Sequence, residues 1–250
     1  MQDNWLPMPR YKLRKDLVRK FLRGESLRGK TCLEFGYGAG DMLLLFAELG
    51  LAVYGFDFSE EAYRSAGFRI AECPVLQEKI SLCRDESEIQ GRRYDYIMAF
   101  EVLEHIEDDA SCLKKWWELL NDSGKLLISV PAHMSKWGPN DSGHYRRYER
   151  DGMSRLLWQS GFRILHFWNY AYPISILLDI FLNQKRLIER EHDLSNEELA
   201  KLSGVTRKRN LTNRILAGNL FMYPFILLQR LFLNYDLSSA YLIICEKRTT

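Results

Sequence analysis

Ten residues constrain this chain more than any other stretch. Thr31-Cys32-Leu33-Glu34-Phe35-Gly36-Tyr37-Gly38-Ala39-Gly40 is an apolar run, an acid, and glycines at alternate positions; an apolar, helix-like run from Met42 to Leu49 follows. Glycines there let a strand-to-helix turn take backbone angles that side chains resist, and let a ligand approach the main chain closely. A second apolar run, Leu51 to Phe56, ends in Asp57, seventeen residues past Gly40. A carboxylate in that place accepts hydrogen bonds from both hydroxyls of a ribose. Glycine turn and acid together predict a nucleoside cofactor on an α/β sheet.

The rest of the chain alternates strand-like and helix-like segments. Residues 10–23 read as an amphipathic helix, with Leu13, Leu17 and Phe21 on one face. After the glycine turn the pattern predicts a helix over 60–66, strands near 79–83 and over 94–100, and a helix over 109–120 that Asn121-Asp122-Ser123-Gly124 ends. A fifth strand over 125–130 is stopped by Pro131. A helix over 150–160 with Gly161 as its cap and a sixth strand over 162–167 follow. Strand and helix in alternation imply a parallel, doubly wound sheet. A final strand is expected over 240–245.

The dinucleotide fingerprint G-x-G-x-x-G fails here, because its third glycine would fall at Asp41. The pattern present is E-x-G-x-G-x-G, Glu34 to Gly40, and the fourth strand is followed by Phe100-Glu101-Val102-Leu103-Glu104-His105-Ile106. On these motifs the chain resembles class I S-adenosylmethionine (SAM)-dependent methyltransferases, in particular the group that includes the ubiquinone and menaquinone enzymes. The resemblance covers residues 28–165 and the final strand. It implies a Rossmann-like, seven-stranded sheet whose last strand runs antiparallel. It also implies SAM as cofactor, S-adenosylhomocysteine as product, and Glu34, Gly36, Gly38, Gly40 and Asp57 as cofactor-binding residues, joined by Phe58 and Glu101. In this family an N-terminal helix covers the ligand, which brings in Arg10, Tyr11 and Arg14. The domain reading is a basic helical lid over 1–30, a methyltransferase core over 31–167 and 237–250, and a helical insertion over 168–236 between strands six and seven.

Methyl transfer is an in-line displacement at an already activated carbon, so the protein mainly aligns the acceptor and excludes water. A hydroxyl acceptor needs a base or a metal. Candidates belong on the loops after strands four and five. Glu101, Glu104 and His105 would share a face if that segment turned helically. Two readings stand: pocket residues beside SAM without metal, or, as in some members of the family, ligands of a divalent ion together with His144. The metal-free reading is the expectation. After strand five come His133 and Gly143-His144-Tyr145-Arg146-Arg147-Tyr148. Buried without partners such residues are costly, and together they suit an anionic or polyhydroxyl acceptor. His144, His105 and Glu101 are the catalytic candidates. Arg146, Arg147, Tyr145, Tyr148, His133, Tyr11 and Arg14 are the acceptor-binding ones. The alternative for the second loop is that its own ion pairs, with Asp141 or Glu149, simply hold it together.

Composition narrows the partners. Five cysteines (Cys32, Cys73, Cys83, Cys112, Cys245) form no C-x-x-C pair, and the N-terminus lacks an apolar leader, so a reduced, cytoplasmic protein is expected. Residues 1–30 hold nine Lys/Arg against three Asp/Glu, whereas the whole chain is only +2. Two apolar stretches, 168–182 and 215–233, carry too many polar residues and prolines to be clean membrane spans. They are expected to cover the active-site end or a dimer face, with a monotopic membrane contact left open, and the protein to be a monomer or homodimer. The expected acceptor is a small molecule, a glycan or a lipid-linked compound, methylated on oxygen. No D/N-P-P-Y/F string follows strand four, so nucleic-acid base methylation is not favoured; RNA ribose methylation and a SAM-binding regulator without catalysis stand as alternatives.

Overall fold

A computed structural model describes residues 9–132, 144–174, 218–237 and 240–248. Helix α1 (Pro9–Arg23) precedes β1 (Thr31–Phe35), α2 (Asp41–Glu48), β2 (Ala52–Phe56), α3 (Glu60–Ala71), α4 (Pro74–Gln77) and β3 (Ile80–Cys83). Then come β4 (Tyr94–Phe100), α5 (Asp109–Leu119), β5 (Leu120–Pro131), α6 (Arg150–Gln159), β6 (Phe162–Asn169), α7 (Asn219–Gln229) and β7 (Ala240–Lys247). The strands form one seven-stranded sheet in the order β3-β2-β1-β4-β5-β7-β6. β1 to β5 pair in parallel, whereas β7 is antiparallel to both β5 and β6. This is the Rossmann-like, seven-stranded architecture expected, with the chain order reversing between β1 and β4.

The central strands are apolar on both faces because helices cover both. One face packs Leu13, Leu17 and Leu22 of α1, Leu43 and Phe46 of α2, Ala62 and Ala66 of α3, and Met222 of α7 against Met98 and Leu242. The other packs Leu113 and Trp116 of α5 and Met153 and Leu157 of α6 against Ile97 and Ile128. Helix α1 therefore belongs to the fold's main core: Leu13, Leu17, Val18 and Leu22 are fully buried.

Local differences from the sequence reading have identifiable causes. Helix α3 runs past Ala66 to Ala71, started by Ser59, whose Oγ accepts the Ala62 N–H at 3.2 Å. Helix α4 was not expected. Helix α5 stops at Leu119, and Asn121-Asp122-Ser123-Gly124 lie inside β5 rather than ending a helix. Tyr94 pairs with Leu120 and Tyr96 with Lys125, so the intervening residues loop out as a bulge. Arg93 and Lys247 fix it by donating to the Leu120 carbonyl at 3.3 Å and 2.8 Å. Strand β6 continues two residues beyond Phe167, into the start of the expected insertion. Most of that insertion, residues 175–217, lies outside the described residues.

Candidate active site

The carboxyl ends of β1, β2, β4 and β5 meet at the edge where the strand order reverses, which is where open α/β sheets bind ligands. The glycine turn leaves β1 there. Gly36 has φ +67°, and a Cβ on it would lie 2.6 Å from Cγ2 of Val102. Gly40 has φ +76°, and a Cβ on it would lie 2.8 Å from the Ala66 Cβ. Both positions thus require glycine by angle and by contact. The first contact also seats the glycine turn on the segment that carries Glu101 and His105.

Asp57 braces the same turn. Its Oδ2 accepts the Gly38 N–H and its Oδ1 the Ser59 N–H, each at 3.0 Å. Burial raises its pKa, and the two N–H groups oppose that. Each oxygen keeps a second lone pair, which is the acceptor set a ribose diol requires. Phe58, placed beside it by the sequence reading, stands 63% exposed at the rim rather than packed into the turn. Glu34 is buried under the turn, and its Oε2 has no hydrogen-bond partner among the described residues. Desolvation holds its carboxyl well above the usual range. A buried carboxyl oxygen without a partner among the described residues, beside a turn of alternate glycines, fits a polar, nucleoside-bearing ligand such as SAM.

Helix α1 closes this edge through two anchors. Asp41, at the first position of α2, accepts from Tyr11, Lys15 and Arg69. Its burial works against charge, yet these three partners hold its pKa below the ordinary carboxylate value. Arg14, 7% exposed, donates from Nη1 to Ser129 Oγ at 3.0 Å and to Glu101 Oε1 at 3.4 Å. Ser129 Oγ donates to the same carboxylate oxygen at 2.8 Å, and Tyr170 Oη at 3.5 Å. Tyr11 and Arg14, expected to face the acceptor, are thus engaged in fastening α1 to α2, β5 and the turn after β4.

Glu101 has φ +59°, so the chain turns sharply after β4, and a one-turn 3-10 helix follows over Leu103–His105. The helical face expected to unite Glu101, Glu104 and His105 does not form: Glu101 is bonded to Arg14 and Ser129, although its charge still reaches Glu104. A different trio converges. Ligand-type atoms of Glu104, His105 and His144 all lie within 4.8 Å of one another. The two imidazoles meet edge to face with centroids 4.7 Å apart, and His144 Nε2 is 4.0 Å from Glu104 Oε1. Glu104 is fully buried, and neither oxygen has a hydrogen-bond partner among the described residues. Desolvation, with Glu101 adding to it, raises its pKa well above the usual value. Desolvation, His105 and Arg147 push the His144 pKa down to about 4, so its ring is neutral at pH 7.

The loop after β5 is held by its own contacts more than the sequence reading expected. Arg146 pairs with Asp109 at 2.6 Å and donates to the Glu107 carbonyl. Tyr148 is buried and its hydroxyl donates to Asp109 at 2.9 Å. Both residues are tied to Asp109, a partner the sequence reading did not name; Asp141 lies outside the described residues. The Tyr145 N–H donates to the Glu104 carbonyl at 2.8 Å, while its ring is 55% exposed. Arg147 lies half-buried close enough to His144 to depress its pKa. His133 lies outside the described residues. Asp41, Asp109, Ser129 and Tyr170 were missed by the sequence reading. Only Asp41, the charge that interrupts the glycine fingerprint, carried a local signal.

Comparison with known proteins agrees with this geometry. The family described as "Methyltransferase domain" matches residues 9–167, well over half of the chain. A ubiquinone biosynthesis O-methyltransferase from Pseudomonas paraeruginosa is 28% identical over 106 residues, 42% of this chain and 46% of that protein. The chain spans about half the length of the curated relatives it matches. Among solved structures, magnesium protoporphyrin IX methyltransferase from Synechocystis with bound SAM aligns at TM-score 0.51 and 21% identity, covering 62% of this chain and 71% of that one. The cyclase SpnF aligns at TM-score 0.60 and 13% identity, covering 100% of this chain and 85% of that one. At such identities the likeness is one of fold, and the cyclase demonstrates that this fold also serves other chemistry.

Proposed function

The chain belongs to the class I SAM-dependent methyltransferases, and from that premise we propose that it methylates an oxygen of a small-molecule, glycan or lipid-linked acceptor, with His144 as the base. The observation that carries this reading is geometric: His144 and His105, from the loops after β5 and β4, meet edge to face beside the segment on which Gly36 rests. When bound, SAM supplies a methyl group already activated by its sulfonium. Glu34, Gly36, Gly38, Gly40 and Asp57 would hold it. His144 would take the acceptor's proton, His105 would orient the His144 ring, and Arg147 would attract an anionic group on the acceptor. Arg14 and Tyr11 keep α1 over the edge and exclude water. The test is transfer of labelled methyl from SAM to an acceptor panel by the wild type and by His144→Ala. NAD binding without SAM binding in calorimetry would overturn the reading.

One observation favours a second reading of the same loops. Glu104 buries two carboxylate oxygens that have no hydrogen-bond partners among the described residues, next to two imidazoles. A divalent ion held by Glu104, His105 and His144 would satisfy them, and His144 would then be a ligand instead of a base. Chelation separates the two: activity lost to EDTA and restored by Mg²⁺, Mn²⁺ or Co²⁺ supports the ion, and activity indifferent to EDTA supports the base.

A further inference from the structure

Helix α7 and the turns after it expose an apolar stripe that the fold's core does not use. Tyr223, Leu227 and Leu231 follow one another at four-residue spacing and are 60%, 45% and 70% exposed; Tyr235 continues the line at 60%. From Gly218 to Tyr235 the only charged residue is Arg230. Isolated exposed leucines are ordinary, but a stripe of this kind beside a basic surface is not.

The basic surface is α1. Arg230 pairs with Asp16 at 2.8 Å, and Gln229 donates to the Leu13 carbonyl at 3.2 Å, so the end of α7 lies across the middle of α1. Helix α1 carries seven Lys/Arg and one acid, Asp16, which Arg230 neutralises; Arg14, Lys15 and Arg19 pair with Glu101, Asp41 and Glu48, so Lys20 and Arg23 are its exposed cations. Lys20 and Arg23, one and two turns beyond Asp16, are exposed on its face. Asp236, the first acid after the stripe, is turned inward and bonded to Asn169 and Tyr241. No helix among the described residues is long and apolar enough to cross a membrane.

We propose that the α7 stripe and the Lys20–Arg23 face of α1 form one docking surface for an anionic lipid bilayer, apolar side chains entering the headgroup boundary and cations lying on the phosphates. Apolar residues next to unopposed cations is the complementarity an anionic bilayer offers and a neutral protein surface does not. The proposal stands apart from methyl transfer, since vesicle binding is read without turnover.

The test is co-sedimentation of the full chain with vesicles of phosphatidylcholine alone and with a third phosphatidylglycerol. Binding is expected to the mixed vesicles and to weaken at high salt. Lys20→Glu/Arg23→Glu should weaken it roughly tenfold or more, and Leu231→Asp should weaken it at every salt concentration. Unchanged thermal unfolding and S-adenosylhomocysteine affinity would certify that both variants fold. No binding to mixed vesicles, or binding indifferent to these substitutions, would overturn the proposal. A concentration-dependent dimer that Leu231→Asp dissociates would also overturn it, by giving the face to a second copy of the chain.

Discussion

Arg14 and Glu101 meet across 87 residues of sequence, Nη1 to Oε1, at 3.4 Å, with Ser129 Oγ 2.8 Å from the same carboxylate oxygen. One end of this contact sits on α1 and the other on the turn that leads to His105. Helix α1 and the loop after β4 are therefore joined by a direct polar contact. The Arg14 guanidinium is buried, where Tyr170, Glu101 and Tyr11 together more than offset the desolvation that opposes its charge.

Removing Arg14 should therefore loosen both ends. Arg14→Met is expected to cost about 1–3 kcal/mol in urea unfolding, since a charge-assisted pair is lost while Glu101 retains some water. The Arg14→Met/Glu101→Gln double variant should lose less than the sum of the single ones, with a coupling of at least about 0.5 kcal/mol. Strictly additive losses would show that the two side chains do not support each other.

Much of the sheet could be read from the sequence, because its strands are short apolar runs bounded by glycine, proline and acids, and the central ones, β1, β4 and β7, are buried on both faces. The glycine turn and Asp57 were equally legible: glycines tolerate φ +67° and +76° where other residues resist, and the acid follows at a strand end. What stayed hidden depends on distant pairs. Arg146 and Tyr148 look like an acceptor clamp until Asp109, 37 and 39 residues earlier, is seen between them. Glu101 looks helical with Glu104 until the backbone turns at φ +59°. Nothing local announces that Asn121–Gly124 is a bulge, because Arg93 and Lys247 hold it from other elements.

The glycine turn makes a steric prediction. Gly36→Ala adds a Cβ 2.6 Å from Val102 Cγ2 at a left-handed backbone angle. It should cost about 1–3 kcal/mol of stability through overpacking, read as a drop in unfolding midpoint. Adding Val102→Ala should recover the clash but not the backbone part, about 1 kcal/mol. Full recovery would show that the angle carries no strain.

Asp57 should separate two roles when its charge is removed. Asp57→Ala deletes the ribose acceptor and the brace to Gly38 and Ser59 together, and should cost about 1.5–3 kcal/mol of SAM affinity by calorimetry. Asp57→Asn keeps one carbonyl acceptor and should lose less. Equal loss in both would assign the whole effect to the charge.

His144 carries the prediction that reaches the chemistry. Burial, with His105 and Arg147 close by, holds its pKa at about 4, against an ordinary value of 6.5. The folded protein thus keeps His144 neutral through the window in which the unfolded chain binds a proton. Stability should accordingly fall as pH drops from about 6.5 towards 4, and His144→Gln should flatten that part of the curve. Catalysis should follow the folded value instead. If His144 is the base, kcat/KM under EDTA should be level from pH 8 to about 5 and fall only below it. His144→Ala should lower kcat by about 10²–10⁴ with SAM affinity little changed. A break near pH 6.5 that vanishes in His144→Ala would mean the ring titrates as if in water. Such a ring would be the titrating group without being the desolvated one that this packing describes; a pH profile that His144→Ala leaves unchanged would instead mean that the base lies elsewhere.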